Sequence, residues 1–329
     1  MKAWILDRYG PPESLQLRDV PFPAFRDDHE VLVRVYASSV NPADRHNLNP
    51  PFIFRKGQGL LRPKTGRMGL DFAGQVELVG PAVKDLHMGD EVFGVASGAY
   101  GEYAIADETQ VVPKPTRLTF EQAAAVPIAG VTALQGLRDK AQIRPGQRIL
   151  INGASGGVGT FAVQIAKSLG AQVSCVCNSR NVDLVKSLGA DRVFDYTRED
   201  FAKSGERYDV IVDTQLNHSL AAYRRVLHPR GLLLAIGAGP GSIGRVLPRL
   251  LKTIVGARIA GPKTKFFVAS VRKEPLMDLK ELIEAGGVTP AIDRRYPFSQ
   301  VPDALKYLAE GHARAKIVIS MEPSTPPVS

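Results

Sequence analysis

Cysteine is nearly absent: the 329-residue chain has only Cys175 and Cys177. They lie two positions apart in an apolar run, where a single strand cannot close a disulfide between them. A disulfide scaffold is thereby excluded, and a reducing, cytoplasmic compartment is expected. Long apolar runs are also missing. The first, Ala3 to Leu6, stops at Asp7, and none approaches the roughly 18 residues of a membrane span, so neither a secretory signal nor a transmembrane helix is expected. The six histidines, at 29, 46, 87, 218, 228 and 312, show no metal-ligand spacing. Ser155 has no partnered histidine, which argues against a hydrolase. No internal repeat is visible.

What is present is ordinary globular composition, 44% apolar and 23% charged, with 31 Gly and 24 Pro. The length suggests two domains. Forty-two Lys and Arg against 33 Asp and Glu leave +9, which favours polyanionic partners without choosing among nucleotide phosphates, nucleic acid and acidic lipid. The opening 115 or so residues alternate short apolar segments, such as Val31 to Val35, with Gly, Pro and Asp turns, the texture of a β-rich domain. From about Phe120, strands alternate with amphipathic helices, which predicts a parallel sheet covered on both faces. The predicted strands are Arg148 to Ile151, Gln172 to Cys177, Arg192 to Phe194, Asp209 to Val212 and Leu232 to Ile236. Val158, Phe161, Ala162, Ile165, Ala166 and Leu169 give the intervening helix one buried stripe. Beyond about Gly261 the pattern is mixed, with helices near Leu276 to Ala285 and Val301 to Glu310, a last strand at Ile317 to Ile319 and a fraying tail from Glu322.

The most informative segment is Asn152-Gly153-Ala154-Ser155-Gly156-Gly157-Val158-Gly159, between the first parallel strand and its helix. Side chains are missing where a pyrophosphate approaches the main chain, and the helix start offers unpaired N–H groups and the positive end of its dipole. Strand, glycine turn and helix within an alternating region predict nucleotide binding. An acidic residue at the end of the second strand would hold the ribose 2′-hydroxyl of NAD. Here the chain reads Cys177-Asn178-Ser179-Arg180-Asn181. With no carboxylate there, Ser179 and Arg180 suit the 2′-phosphate of NADPH, with NADH as the alternative cofactor.

These residues resemble the medium-chain dehydrogenase/reductase superfamily, in its zinc-independent NADPH:quinone oxidoreductase branch. The matching segments are Ser39-Val40-Asn41-Pro42-Ala43-Asp44, Gly69-Leu70-Asp71-Phe72-Ala73-Gly74, Gly89-Asp90-Glu91-Val92-Phe93-Gly94, Pro127 to Ala133, the glycine turn and Leu188-Gly189-Ala190-Asp191. Tyr296-Pro297-Phe298 through Gly311-His312-Ala313-Arg314 is most similar to the mitochondrial reticulon-interacting oxidoreductases and their bacterial relatives. The resemblance implies an α/β fold: a doubly wound parallel-sheet (Rossmann) nucleotide domain, 121–261, inserted in a β-rich GroES-like catalytic domain formed by 1–120 and 262–321, with 322–329 a tail. It further implies that Asn41 lies beside the nicotinamide and orients it, and that Gly130 and Thr132 line its approach. Ser155, Gly156, Gly157 and Val158 would hold the pyrophosphate, and Asn178, Ser179, Arg180 and Tyr196 the adenosine end. Gly237 and Phe266 would join the cofactor site, which His312, Ala313 and Arg314 would close.

Two departures stand out. Asn181 takes a position where the family often has Lys, which softens phosphate selectivity, and His46 takes one where some quinone reductases carry an aromatic hydroxyl. Zinc-dependent members use a catalytic Cys, a Gly-His-Glu motif and a four-Cys lobe. Here Asn41 and Leu70 occupy the expected Cys and His positions, and no cysteine precedes residue 175. The expected chemistry is therefore zinc-independent hydride transfer to a small quinone or α,β-unsaturated carbonyl. No side chain is assigned as proton donor, a role that solvent or the cofactor ribose can fill.

The alternative is a non-catalytic nucleotide-binding protein that meets RNA, membrane or another protein through its basic surface. Between Pro240 and Pro275 stand Arg245, Arg249, Lys252, Arg258, Lys263, Lys265, Arg272 and Lys273 against the single acid Glu274. A basic amphipathic helix resting on a membrane is the lesser reading of that stretch, and a helix packed on the sheet the greater. No aromatic-and-basic RNA motif accompanies the charge. A homodimer is implied by family analogy alone.

Overall fold

The structure is a computed structural model and describes residues 1–52, 55, 59–236, 262–311 and 313–321. The chain divides into two compact units, one of Met1–Ile128, Val271–Glu284 and Pro290–Ser329, the other of Ala129–Ser270 and Ala285–Thr289. The cuts thus fall after Ile128 and Ser270. Residues 285–289 join the second unit because Gln164 Nε2 donates to Thr289 O at 3.0 Å and Gln164 Oε1 accepts from Thr289 N at 2.8 Å.

The first unit is built on a seven-stranded sheet in the order Ile292–Pro297, Lys316–Ser320, Glu30–Val40, Asp71–Val79, Glu91–Val95, Val111–Pro113, with Tyr103–Asp107 paired beside Glu30–Val40. The eleven-residue strand Glu30–Val40 is its centre. Val31, Val33, Val35, Phe72, Val76 and Val92 bury a shared apolar face, the alternation expected of half-buried strands. Ile292–Pro297 is a polar edge strand, parallel to Lys316–Ser320 and joined to it through helix Val301–Ala309.

The second unit is a six-stranded, wholly parallel sheet in the order Arg192–Asp195, Gln172–Cys177, Arg148–Asn152, Tyr208–Asp213, Leu227–Ala235, Lys263–Phe266. Numbered by sequence, this is 3-2-1-4-5-6, the order of doubly wound nucleotide-binding sheets, whose ligand crevice opens at the carboxyl ends where the order reverses. The predicted strands are all present. Leu227–Ala235 begins five residues before the predicted Leu232, with Pro229 and Gly231 in its first half and a register shift at Tyr208/Val210. Helix Gly157–Ser168 buries more than the predicted stripe: Thr160, Val163 and Gln164 are buried as well, while Val158 and Leu169 are only half-buried.

Both cysteines lie on Gln172–Cys177, free and buried. Burial pushes the Cys175 thiol well up and the Cys177 thiol to about 11, so both remain protonated and unreactive. Among the described residues no helix is long and apolar enough to cross a membrane. The basic residues at 245, 249, 252 and 258 and the tail from Glu322 lie outside the described residues.

The glycine turn divides its labour. Gly153 has φ +84°, open to glycine without strain. A Cβ at Gly159 would stand 2.2 Å from Gly153 O and 2.7 Å from Ala154 C, so this glycine lets the helix backbone close on the turn. A Cβ at Gly156 would meet only Gly153 O, at 3.4 Å. Gly159→Ala should therefore cost about 2 to 3 kcal/mol of stability in urea unfolding, whereas Gly156→Ala should leave the unfolding midpoint unchanged. Equal midpoints for both variants would show that this packing is not as described.

Candidate functional site: a nucleotide cradle and a buried polar knot

In the second unit, the sequence-predicted residues gather at the carboxyl edge of the parallel sheet. The turn leaves the sheet after Asn152, and helix Gly157–Ser168 starts with Gly156 as its N-cap. Helix geometry leaves the first-turn N–H groups without intrahelical acceptors, and the N-cap Gly156 puts no side chain beside them. Asn181 lies below the turn and donates through Nδ2 to Ser155 Oγ at 2.9 Å. Residues 153–157 do spell Gly-x-Ser-x-Gly, a hydrolase spacing, so it is the partner of Ser155 and not a missing motif that speaks against a nucleophile. The Ser155 hydroxyl is paired to this amide and, among the described residues, to no base.

Asn178 Oδ1 and Asn181 Oδ1 are buried without a hydrogen-bond partner among the described residues. Two orphaned acceptors beside an open, N–H-rich turn fit the hydroxyl-bearing ribose and pyrophosphate of a dinucleotide. Ser179 and Arg180 are exposed just past the second strand, and the Tyr196 ring is 61% exposed at the end of the third, its N–H donating to Cys177 O at 3.0 Å. Helix Pro127–Leu134 carries the buried Gly130 and the half-buried Thr132 and runs into a π-helical segment, Gln135–Ala141. Phe266 ends the edge strand, half-buried. Gly237 and His312 lie outside the described residues.

A second polar cluster closes the switch point. Asp213, fully buried, accepts from Gln215 N and Leu216 N, each at 2.7 Å, from Asn152 Nδ2 at 3.1 Å and from the Tyr223 hydroxyl. These bonds hold Leu216 at φ +48°, a left-handed conformation unusual for leucine.

In the first unit, Asn41 sits at the heart of a buried knot that the sequence did not foretell. Register places Ser39 opposite Asp71 and Val40 opposite Ile317, so the strands deliver Asp71 and Lys316 to the end of Glu30–Val40. The fully buried Asp71 accepts from Ser39 Oγ at 2.8 Å, Asn41 Nδ2 at 2.9 Å, Ile128 N at 3.1 Å and Lys316 Nζ at 3.4 Å. Lys316 Nζ also donates to Asn41 Oδ1 at 2.7 Å. The amide of Asn41 is thus oriented between a carboxylate and an ammonium. Its backbone N–H donates to Asp44 Oδ2 at 2.8 Å, which caps the start of helix Pro42–Leu48. Of the C-terminal residues expected at the cofactor, Ala313 packs on the core of this unit, and Arg314 N donates to Asp293 Oδ2 at 2.8 Å.

Asp71 was visible within a matching segment, and Lys316 as a lone cation before Ile-Val-Ile, but only the strand register joins them to Asn41. Replacing Lys316 by Met strands the Asp71 charge in the interior and should destabilise the fold by about 3 to 5 kcal/mol in urea unfolding. A loss below about 1 kcal/mol would contradict the pairing.

Asp44 is fully buried, with Oδ1 and the Tyr100 hydroxyl lacking partners among the described residues. Burial pushes its carboxyl up to about 7 from 3.8. Between these values the folded chain holds a proton that the unfolded chain releases, so this group's contribution to stability is lost as pH rises through the window. The urea midpoint of the wild type, taken relative to Asp44→Asn, should fall between about pH 4 and about pH 7 and level off above that. A constant difference would refute the assignment.

Two family models match the chain: Alcohol dehydrogenase GroES-like domain over residues 27–116 and Zinc-binding dehydrogenase over residues 188–319. The mitochondrial NAD(P)H oxidoreductase RTN4IP1 of Mus musculus is 35% identical, with 98% of this chain and 89% of that protein covered. The chloroplastic NADPH-dependent alkenal/one oxidoreductase of Arabidopsis thaliana is 33% identical, with coverages of 97% and 79%. Among solved structures, the quinone oxidoreductase from Coxiella burnetii superposes with a TM-score of 0.84 at 30% identity, covering 98% of this chain and 99% of that one. Among the described residues, no group of three or more His, Cys, Asp or Glu side chains is arranged to hold a metal ion. With the parallel-sheet and GroES-like units in place, the chain is an oxidoreductase and belongs to the quinone oxidoreductase branch of the medium-chain dehydrogenase/reductase superfamily.

Proposed function

We propose that this chain transfers hydride from NADPH, with NADH as a second donor, to a small quinone or α,β-unsaturated carbonyl, without zinc. The observation that carries the reading is the glycine turn: a side-chain-free face at Gly156, beside a helix start and two orphaned asparagine oxygens, at the switch point of a 3-2-1-4-5-6 sheet. The acceptor class is supported by the relatives' names, quinone oxidoreductase and alkenal/one oxidoreductase. Zinc independence is supported by residue type: Asn41 and Leu70 stand at the expected ligand positions, and both thiols are buried in one strand with raised pKa values.

The bound nicotinamide supplies hydride from its C4. Ser155 to Val158 hold the pyrophosphate, and Asn178, Arg180 and Tyr196 hold the adenosine end. Asn41 orients the carboxamide or donates to the acceptor oxygen. Its second Nδ2 hydrogen is held only by a long bond to Ser39 O, at 3.5 Å, which a substrate oxygen can replace. Most of the rate gain is positional, and the proton that completes reduction comes from solvent or the cofactor ribose. The reading calls for neither nucleic acid nor a membrane partner; a homodimer is proposed from family analogy.

The test is acceptor-dependent loss of NADPH absorbance with purified protein against a panel of quinones, enals and enones, with NADH in parallel and a zinc chelator in a further arm. Turnover with at least one acceptor, unchanged by the chelator, is expected. No turnover across the panel would overturn the function, and chelator-sensitive turnover would overturn the metal-free chemistry.

A further inference from the structure

The second strand ends without a carboxylate, but the third supplies one. Asp195 is the last residue of Arg192–Asp195 and pairs in register with Cys177. Its side chain therefore reaches the edge where Ser179 and Arg180 emerge. Asp195 Oδ2 accepts the Ser179 hydroxyl at 2.5 Å, and Oδ1 accepts Thr197 N at 3.0 Å and Thr197 Oγ1 at 2.8 Å. The Ser179 and Thr197 hydroxyls also lie 3.0 Å apart, where either can donate, but each has a carboxylate oxygen nearer and anionic, so each proton goes to Asp195. Arg198 Nε lies 3.5 Å from the same carboxylate. These interactions, that from Ser179 above all, hold the Asp195 carboxyl below its ordinary range, so it is anionic near neutral pH.

A serine hydroxyl has one proton and two lone pairs. In Ser179 that proton is committed to an anion in a charge-assisted bond, roughly twice as strong as a neutral one. The oxygen therefore presents lone pairs to a ligand. Lone pairs accept the hydrogen of a ribose 2′-hydroxyl and oppose the oxygens of a 2′-phosphate. Arg198 is drawn to Asp195, which leaves Arg180, exposed and without a hydrogen-bond or ion-pair partner among the described residues, as the free cation for a phosphate. Ser179 was expected to bind the phosphate, and the hydrogen-bond direction assigns it the opposite preference.

We propose that Asp195 is a specificity-determining residue: by taking the proton of Ser179 it makes the adenosine edge receptive to a 2′-hydroxyl, limits the preference for NADPH, and so admits NADH. The inference rests on the nicotinamide reading above. Asp195→Asn removes the charge, keeps an acceptor for Thr197 N, and offers Ser179 an amide donor that frees its proton.

Binding of 2′,5′-ADP and of 5′-AMP to the full chain, measured by calorimetry, isolates the adenosine end from hydride transfer. In Asp195→Asn the affinity ratio should move toward 2′,5′-ADP by about tenfold, with the NADPH to NADH ratio of kcat/KM following. Ser179→Ala should weaken 5′-AMP more than 2′,5′-ADP, which decides the matter should Asp195→Asn fail to fold. A merely structural turn residue would weaken both ligands alike, and an unchanged ratio in a folded variant overturns the proposal while leaving the cofactor reading intact. Failure of wild type to bind either fragment or NADPH overturns both.

Discussion

The second unit depends on one close approach of backbone to backbone, Gly159 against Gly153. No side chain fits between them, so the helix seats its first turn directly over the end of strand Arg148–Asn152. That seating brings unpaired helix N–H groups to the edge of the sheet without a covering of side chains. A pyrophosphate needs the same two things, positive partial charge and a bare surface. The glycines therefore differ: Gly159 and Gly153 answer to the fold, while Gly156, whose Cβ direction is open, is the one we propose answers to the ligand.

Polar groups buried in both units obey a single rule, that an interior charge persists where donors surround it. Asp71 has four such donors and Asp213 has several, two of them from the loop that follows it. Asp44 has one donor and an orphaned oxygen, and its carboxyl is correspondingly pushed up to about 7. For Asn41 the consequence is a side chain whose orientation is set electrostatically by Asp71 and Lys316.

Much of this was legible in the chain. The parallel strands announced themselves as short apolar runs between glycine turns and helices, because strands covered on both faces must be apolar throughout. Ile292–Pro297 was illegible for the converse reason: an edge strand exposes polar residues, and Asp293, Arg294 and Arg295 carry no alternation. The glycine turn and Ser179, Arg180 and Tyr196 could be read as a group because they follow strand ends in sequence. Asp195, Asp44 and Lys316 could not, since their meaning comes from pairing across strands: Asp195 with Ser179, Lys316 with Asn41. Charge type was visible at each position, but the hydrogen-bond direction that reverses the role of Ser179 exists only in three dimensions.

The central claim is that the turn at Gly153 to Gly159 is where a dinucleotide pyrophosphate binds, its amides donating to the phosphate oxygens. Amide hydrogen exchange across residues 153–160, with and without saturating NADPH, tests it most directly. The account predicts marked slowing at Gly156, Gly157 and Val158 on addition of NADPH. Unchanged exchange there, with protection appearing elsewhere in the chain, would contradict it.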